Sequence, residues 1–183
     1  MKNDQPQIFT RRRLVCLLGA SAVLAMPLSR ARSASSVLTL EQGQHALPDT
    51  SLPTSQGRQF RLPDAASGGV LVNFWATWCA PCVVELPALE QAAVHLKAKN
   101  ITVVLVNLDR GGAGKAQPFL DDRHIKTPVS AYDPKGMWAR AIGLRGLPTT
   151  LLIKPGQTAY AVHTGPAEWA ALPVLSQVTD YLS

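Results

Sequence analysis

Two cysteines stand three positions apart in the segment Trp-Cys-Ala-Pro-Cys, residues 78–82. The apolar run Val-Leu-Val-Asn-Phe-Trp at 70–75 precedes it and predicts a strand that leads into a helix. A helix N-terminus stabilises an anion because its first N–H groups lack partners, and the thiolate is the reactive form of cysteine. We therefore predict that Cys79 is a nucleophile. The spacing lets the second thiol reach the first, so Cys82 is predicted to resolve a mixed disulfide on Cys79.

The remaining cysteine, Cys16, lies in a segment that we predict to be removed, which leaves Cys79 and Cys82 to pair with each other. A zinc site needs about four ligands, usually with a second Cys or His pair at short spacing. The sequence predicts no metal site, because its histidines are far apart: His45, His95, His124 and His163. A purely structural disulfide is the plainer alternative, since oxidising compartments favour such bonds, although so small a loop constrains the unfolded chain little.

Residues 1–35 have the composition of an export signal. Three arginines at 11–13 precede a weakly apolar run from Leu14 to Leu28, and small residues follow that are suited to cleavage, which we predict after Ser33. The arginines resemble a twin-arginine signal, and this route and the general one both stay open. An uncleaved membrane anchor is the alternative, but the apolar run falls short of the about twenty residues that a bilayer requires.

The positive charge of the chain is concentrated in this leader. It contains Lys2 and five arginines against one acid, Asp4, whereas the whole chain has 18 basic and 12 acidic residues. The remainder is therefore nearly neutral, with its basic residues dispersed among acids. A nucleic-acid-binding protein normally presents a clustered basic face, so the sequence argues against nucleic acid as a partner.

Residues 36–183 have the length of one domain with a single core. Apolar residues at helical spacing continue to about residue 97, and Pro87 is predicted to kink this helix. The continuous apolar run at 101–108 is typical of a central strand buried on both faces, which implies a parallel sheet. The later elements are predicted as a helix at 116–123, a strand at 129–132, a helix at 137–142, strands at 149–153 and 159–163, and a helix from about 166 to 182.

The segment between residues 36 and 69 is rich in turn formers, and residues 59–62 alternate as a half-buried strand does. This pattern predicts an N-terminal hairpin that lies against the main sheet.

Three motifs are specific when taken together. They are Val-Asn-Phe-Trp-Ala-Thr-Trp-Cys-Ala-Pro-Cys at 72–82, Glu-Leu-Pro at 85–87, and Gly-Leu-Pro-Thr-Thr-Leu-Leu-Ile at 146–153. From about residue 47 to its end, the chain resembles the extracytoplasmic thiol:disulfide oxidoreductases of the TlpA and ResA type. The resemblance implies a thioredoxin-like α/β fold, in which helices flank a central mixed sheet, here with the N-terminal hairpin as an extension.

The resemblance also assigns a substrate-binding role to Leu147 and Pro148. In this family the matching proline is cis and lies against the dithiol, and the backbone of the residue before it pairs with the substrate chain. A cis bond before proline costs little and opens a backbone edge for such pairing, whereas an ordinary trans turn is the alternative. Trp78, next to the motif, is expected to cover the exposed side of the dithiol and Trp75 to pack in the core, unless both serve only in apolar packing.

Glu85 lies three residues after Cys82 on the predicted helix, within one turn of the thiols. The resembled family uses a glutamate here to tune its cysteines. A carboxylate raises the pKa of nearby thiols by like-charge repulsion and can exchange a proton with Cys82, whereas a solvated helix residue is the alternative. Cytoplasmic thioredoxins have a buried aspartate where this chain has Asn73, which cannot titrate. Glu85 is therefore the local candidate for proton handling.

These features predict a periplasmic protein-disulfide reductase that works as a monomer through the Cys79–Cys82 dithiol and needs no other cofactor. The resemblance implies clients such as apocytochrome c, its assembly factors and copper-site proteins of oxidases. It also implies a membrane electron donor of the DsbD or CcdA type. A dithiol oxidase of the same fold, with electrons flowing in the opposite direction, stays open as the main alternative.

Two functions from other classes are less well matched. A thiol peroxidase places a threonine three residues before its reactive cysteine, where this chain has Ala76. A copper-delivery protein of the Sco type spaces its cysteines as C-x-x-x-C and adds a distant histidine ligand, whereas only two residues separate Cys79 from Cys82.

Overall fold

The computed structural model describes residues 37–62 and 68–183, so the predicted export signal at 1–35 and its cleavage lie outside the described residues. Within these two ranges, no helix combines the length and the apolarity that a membrane span requires. The elements follow in chain order as β1 (Glu41–Gln42), β2 (Leu52–Pro53), β3 (Gln59–Phe60), β4 (Val70–Trp75), α1 (Ala80–Lys97), β5 (Thr102–Asn107), α2 (Ala113–Asp122), β6 (Val129–Tyr132), α3 (Met137–Ala141), β7 (Thr149–Ile153), β8 (Tyr160–Thr164) and α4 (Leu172–Leu182).

Six strands form one mixed sheet in the order β1-β8-β7-β4-β5-β6. β4, β5 and β6 run parallel to one another. On the other side of β4, each pair of neighbouring strands is antiparallel: β7 with β4, β8 with β7, and β1 with β8. Crossover helices α1 and α2 connect the parallel strands. The predicted α/β class, with a central mixed sheet flanked by helices, is confirmed.

The two faces of the sheet bury two separate apolar clusters. Because successive side chains of a strand point to opposite faces, Leu71 and Trp75 of β4 join the cluster that includes residues of α1, α2 and α4. Val72 and Phe74 join the cluster on the other face, which includes Trp138 of α3. Asn73 therefore points toward the α1 face. Burial on both faces explains why β4 and β5 are nearly continuous apolar runs.

The predicted N-terminal hairpin is present as β2 and β3, which pair antiparallel with Leu52 opposite Phe60. It forms its own two-stranded sheet, and a bridge between Thr54 and Ala131 connects it to β6. Leu52 is buried in the cluster on the α3 side, so the hairpin contributes to the core. β1 was not predicted: it adds an edge strand beside β8, with Glu41 opposite Val162.

The predicted boundaries of the last helix are wrong. α4 begins at Leu172 and not near residue 166, because the preceding segment, 166–171, is not helical and instead donates hydrogen bonds from Ala167 and Trp169 to Glu85 of α1. Pro173 lies in the first turn of α4, where its missing N–H costs no intrahelical hydrogen bond. α2 begins three residues earlier than predicted, at Ala113. α1 is one helix from Ala80 to Lys97, with Pro87 inside it.

Candidate active site at the start of helix α1

The dithiol lies where β4 passes into α1. Cys79 is the N-cap residue of the helix, with extended backbone, and the N–H of Cys82 donates to its Sγ at 3.3 Å. The two cysteines form a disulfide with an S–S distance of 2.03 Å and Cα atoms 5.3 Å apart. A sulfur at an N-cap receives a helix N–H and the positive end of the helix dipole. The site therefore stabilises a thiolate on Cys79 once the disulfide opens.

The two sulfur-bearing residues differ in access to solvent. Cys79 retains 6% of its surface, whereas Cys82 retains none. Of the two cysteines, only Cys79 therefore keeps surface that a second molecule can contact. Cys82 can be contacted only by other groups of the same protein.

A buried carboxylate holds the loop that carries the dithiol. Asp109 Oδ2 accepts the backbone N–H of Thr77 at 2.8 Å, and its Oδ1 accepts the Thr77 hydroxyl at 2.8 Å. The side-chain amide of Asn107 also donates to Asp109, which orients the carboxylate. Thr77 is two residues before Cys79, so this contact fixes the approach to the helix. Asp109 follows the carboxyl end of β5, the parallel neighbour of β4, and adjacent parallel strands end at the same edge of a sheet.

Lys115, on the exposed first turns of α2, contacts Asp109 Oδ1 with its ammonium at 3.1 Å. Burial alone would raise the pKa of Asp109, but the hydrogen bonds from Thr77 and Asn107 and the contact with Lys115 outweigh it and hold the pKa below its ordinary value. Asp109 is therefore an anion near the dithiol loop at neutral pH. The Lys115 ammonium balances its charge, and the hydrogen bonds from Thr77 and Asn107 stabilise it.

Glu85 is buried on the α1 face, with 4% of its surface exposed, so the solvated alternative is excluded. Its Oε1 accepts from the Asn73 amide at 2.9 Å, and its Oε2 accepts from the Trp169 indole at 3.0 Å and from the backbone N–H of Ala167 at 3.2 Å. These donors come from β4 and from the segment at 166–171. Three separate parts of the fold therefore meet at one carboxylate, one helical turn from Cys82.

Burial raises the pKa of Glu85 above its ordinary value. The hydrogen bonds from Trp169, Asn73 and Ala167, together with the charge of His163, act in the opposite direction and offset part of this effect. A carboxyl group whose pKa is raised in this way both accepts and releases a proton closer to neutral pH. The site therefore places a proton-exchanging group next to the buried thiol.

The other predicted site residues lie around the dithiol. The Leu147–Pro148 peptide bond is cis, and Pro148 directly precedes β7. Since Phe74 pairs with Thr149, the next position brings Pro148 level with the end of β4, where the dithiol loop begins. Leu147 is half-buried. Trp78 is 67% exposed, so it does not pack in the core.

A groove of about 750 Å³ runs beside the dithiol between α1, the segment at 166–171 and α4. Its walls are mostly apolar and include Pro81 and Val84 from the first turns of α1. Glu85 and His163 are two of its polar wall residues. The groove therefore connects the first turns of α1 with the buried carboxylate.

Sequence reasoning missed two contributors: Asp109 and the 166–171 segment, which includes Trp169. Trp169 lies in the stretch that was predicted as the start of the last helix; it is buried, and its indole N–H also donates to Glu85. Pro173 could have located the start of α4, because proline favours the first turn of a helix. The segment 166–171 would then have been predicted to lie outside the helix. Asp109 was detectable from its place at the end of a predicted parallel strand.

Comparisons with known proteins agree with this geometry. The redoxin family model matches residues 41–173. The chain is 35% identical over 128 residues to the thioredoxin-like protein YneN of Bacillus subtilis, which covers 69% of this chain and 73% of that protein. It is 31% identical over 127 residues to the thiol-disulfide oxidoreductase ResA of the same organism, covering 69% of each.

A solved structure has the same fold. The crystal structure of a protein described as the thiol:disulfide interchange protein DsbE, from Chlorobium tepidum, superimposes with a TM-score of 0.65 at 33% sequence identity. The match covers 79% of this chain and 99% of that one. The thioredoxin-like fold is thereby confirmed. With its cysteine pair at the N-terminus of α1, the chain belongs to the redoxin family, among the ResA-like thiol-disulfide oxidoreductases.

Proposed function

We propose that this oxidoreductase works outside the cytoplasm and reduces disulfides in client proteins. The observation that carries the proposal is the unequal placement of the two cysteines: Cys79, at the helix N-terminus, keeps a small exposed surface, whereas Cys82 keeps none and lies one turn from Glu85. An accessible, anion-stabilised thiol suits attack on a client, whereas a sheltered thiol suits the internal step that releases it.

The reaction begins with the reduced pair. The Cys79 thiolate attacks one sulfur of the client disulfide, which forms a mixed disulfide and expels the other client sulfur as a thiolate. Cys82 then gives its proton to the Glu85 carboxylate, and its thiolate attacks Cys79. The Cys79–Cys82 bond forms as the mixed disulfide breaks. The protein loses two electrons and becomes oxidised, while the client gains them as two thiols, protonated from solvent and Glu85.

Three residues are proposed to receive the client. Leu147 offers its backbone to an extended client segment, next to Pro148 at the end of β4. Trp78 presents an exposed aromatic face one residue before Cys79, and such side chains supply contact area at low entropic cost. Together they would hold the client disulfide beside the reactive sulfur.

The export signal predicted at 1–35 is the basis for proposing a periplasmic location, after cleavage or with the leader retained as an anchor. In an oxidising compartment the pair needs a source of electrons, and we propose a membrane donor of the DsbD or CcdA type. Apocytochrome c, its assembly factors and oxidase copper-site proteins are the proposed clients, and the protein is proposed to act as a monomer without a further cofactor.

The reduction potential of the Cys79–Cys82 couple tests the direction of electron flow. The full chain carrying Cys16→Ser, which leaves a single pair, is equilibrated in thiol buffers and followed by tryptophan fluorescence. We expect a value below about −220 mV, in the range of thioredoxin-like reductants. A value near about −120 mV, typical of strong oxidants, would overturn the proposed direction and establish a dithiol oxidase.

A further inference from the structure

A short segment at 165–169 follows directly after β8 and contacts two separate parts of the site. At its first residue, the backbone N–H of Gly165 donates to the carbonyl oxygen of Pro148 at 2.9 Å. Pro148 follows Leu147 in the loop that we propose to receive the client. The segment therefore begins on the backbone of the client-binding loop.

The same segment ends on the Glu85 carboxylate. The backbone N–H of Ala167 donates to Glu85 Oε2 at 3.2 Å, and the Trp169 indole donates to the same oxygen at 3.0 Å. The other carboxylate oxygen, Oε1, accepts from the Asn73 amide of β4 at 2.9 Å. Residues 165–169 therefore supply both described donors to one oxygen of Glu85, and β4 supplies the donor to the other.

The backbone at Gly165 determines the path of this segment. Its φ is +103°, which side chains disfavour, and no described heavy atom beyond its chain neighbours lies within 4 Å of the position that a Cβ would take. A side chain here would strain the backbone without meeting a neighbour. A substitution of Gly165 therefore acts through the path of the segment and not through a clash.

Trp169 is held in the core. It retains 1% of its surface and belongs to the apolar cluster on the α1 face. Burial raises the pKa of Glu85, and the hydrogen bond from Trp169 is the strongest of the contacts that act against this effect. A fixed indole N–H therefore favours the carboxylate form of Glu85, which is the form that accepts the Cys82 proton in the proposed reaction.

We propose that residues 165–169 form a positioning element for the reaction: at one end they hold the loop that receives the client, and at the other they hold Glu85 for the release step. Gly165 and Trp169 are its positioning residues. The inference rests on the proposed function and deepens it. Capture and release of the client use different atoms but depend on the path of one segment. A change at Gly165 therefore affects both steps, whereas loss of the Trp169 donor affects release.

One titratable side chain faces Glu85 from the sheet. Asn73, Thr150 and His163 form a row across β4, β7 and β8 on the α1 face, since each pairs with the next. Of these three, only His163 is titratable, and its charge favours the carboxylate form of Glu85. Its ring meets the Trp169 ring edge-on, with centroids 6.0 Å apart. A variant that keeps an aromatic ring at residue 169 leaves this neighbour in place.

The other described elements around Glu85 add little charge. From the segment itself, Glu168 borders the groove but is exposed. The groove residues from α4 and from the first described residues, Val174, Val37 and Leu38, are apolar. On α1 the cysteines do not titrate while the disulfide is formed. The disulfide form is therefore the one in which the effect of the segment on Glu85 is measured.

The first test is an NMR titration of the Glu85 carboxyl in the full chain carrying Cys16→Ser, with the disulfide formed. Trp169→Phe keeps an aromatic ring and removes the N–H donor, so the midpoint of Glu85 is expected to move to higher pH by about half a unit or more. Trp138→Phe is the matched control, because Trp138 is also a buried indole but donates to Thr50 on the other side of the sheet. It should leave the midpoint in place.

The second test separates capture from release. Gly165→Ala is expected to slow formation of the mixed disulfide with a disulfide-bonded peptide several-fold. Reaction with a small-molecule disulfide, which needs no backbone pairing, should keep its rate. In single turnovers of the reduced protein, the acid limb of the pH profile of peptide release should move to higher pH in both Gly165→Ala and Trp169→Phe.

Gly156→Ala is the matched control for this second test. Gly156 lies in the turn between β7 and β8, also has a positive φ, +64°, and also has open space where a Cβ would stand. Because it contacts neither the client loop nor Glu85 through the segment, its substitution should change neither the peptide rate nor the pH profile. If Gly165→Ala fails to fold, Gly165→Asn takes its place, because asparagine tolerates a positive φ better than alanine does.

A Glu85 midpoint that stays in place in Trp169→Phe would overturn the inference, and so would a peptide rate that the substitution of Gly165 leaves unchanged. A wild type that exchanges no disulfide with the peptide would instead overturn the proposed function. The titration of Glu85 in Trp169→Phe would then still decide whether the segment holds the carboxylate.

Discussion

Asp109 accepts both the backbone N–H and the hydroxyl of Thr77, two residues before the reactive Cys79. One buried carboxylate at the end of β5 thereby fixes the loop that leads out of β4. The strands that form the centre of the sheet also determine where the helix N-terminus and its sulfur lie.

Replacing Asp109 by Asn should weaken this loop. An amide of the same shape accepts on one side only, so it leaves a buried donor unsatisfied and removes the partner of Lys115. We expect the free energy of unfolding to fall by about 1–3 kcal/mol, measured by urea denaturation at neutral pH. Asp122→Asn, on the exposed end of α2, is the matched control. Equal stability of the two variants would contradict the role of Asp109.

The same carboxylate should give the protein an acid-sensitive component of stability. The pKa of Asp109 is lower in the folded protein than its ordinary value, so the folded state binds this proton less tightly than the unfolded chain does. Its stabilising contribution is present above the unfolded pKa and is lost as the pH falls through the folded pKa. Urea denaturation below about pH 5 should show a smaller stability difference between wild type and Asp109→Asn than at pH 7. If the stability difference between wild type and Asp109→Asn does not change with pH, the lowered pKa of Asp109 is contradicted.

Glu85 should have the opposite pH dependence. Its pKa is raised in the folded protein, so its contribution to stability falls as the pH rises from the unfolded pKa through the folded one. Glu85→Gln cannot titrate and loses hydrogen bonds at every pH. The stability difference between variant and wild type should therefore move in the variant's favour as the pH rises from about 4 to about 8, measured by urea denaturation. Glu41→Gln, on exposed β1, should show no such trend.

The two cysteines should behave differently when each is replaced. Cys82→Ser keeps the accessible nucleophile but lacks the resolving thiol, so it should accumulate a mixed disulfide with a disulfide-bonded peptide. Cys79→Ser leaves only a fully buried thiol and should form the adduct at least about tenfold more slowly. Intact-protein mass spectrometry of both variants, each with Cys16→Ser, measures the adduct. Equal trapping by the two would reverse the assigned roles.

Trp78 should affect client capture far more than stability. Because its side chain is mostly exposed, Trp78→Ala is expected to change the free energy of unfolding by no more than about 0.5 kcal/mol. The rate of mixed-disulfide formation with a folded client should fall several-fold, while reaction with a small-molecule disulfide stays the same. Val94→Ala, at an exposed apolar position farther along α1, serves as the control and should change neither rate.

Much of the fold could be predicted from local patterns. The apolar runs of β4 and β5 and the hairpin signal between β7 and β8 required only neighbouring residues. The Cys79–Cys82 spacing likewise defined its own chemistry, and the disulfide has the predicted place. Local geometry and the sequence therefore point to the same nucleophile.

The surroundings of Glu85 could not be predicted in this way. Its partners lie 12 residues earlier, at Asn73, and 82 and 84 residues later, at Ala167 and Trp169. Only the packing of the 166–171 segment onto α1 brings them together, and helical periodicity had assigned that segment to α4. β1 could not be predicted for a similar reason. A two-residue edge strand is defined by its pairing with β8 and not by its own sequence.

The row formed by Asn73, Thr150 and His163 joins three strands at one level of the sheet. A slip of β7 by a single residue would turn Thr150 to the opposite face and bring Leu151 or Thr149 beneath Glu85. Such a misfolded chain could keep its hydrogen-bonded ladder and its cysteines, yet Asn73, which donates to Glu85, would lose its other partner, the Thr150 hydroxyl. Redox titration of refolded protein would therefore report strand register, a property that secondary-structure content alone does not reveal.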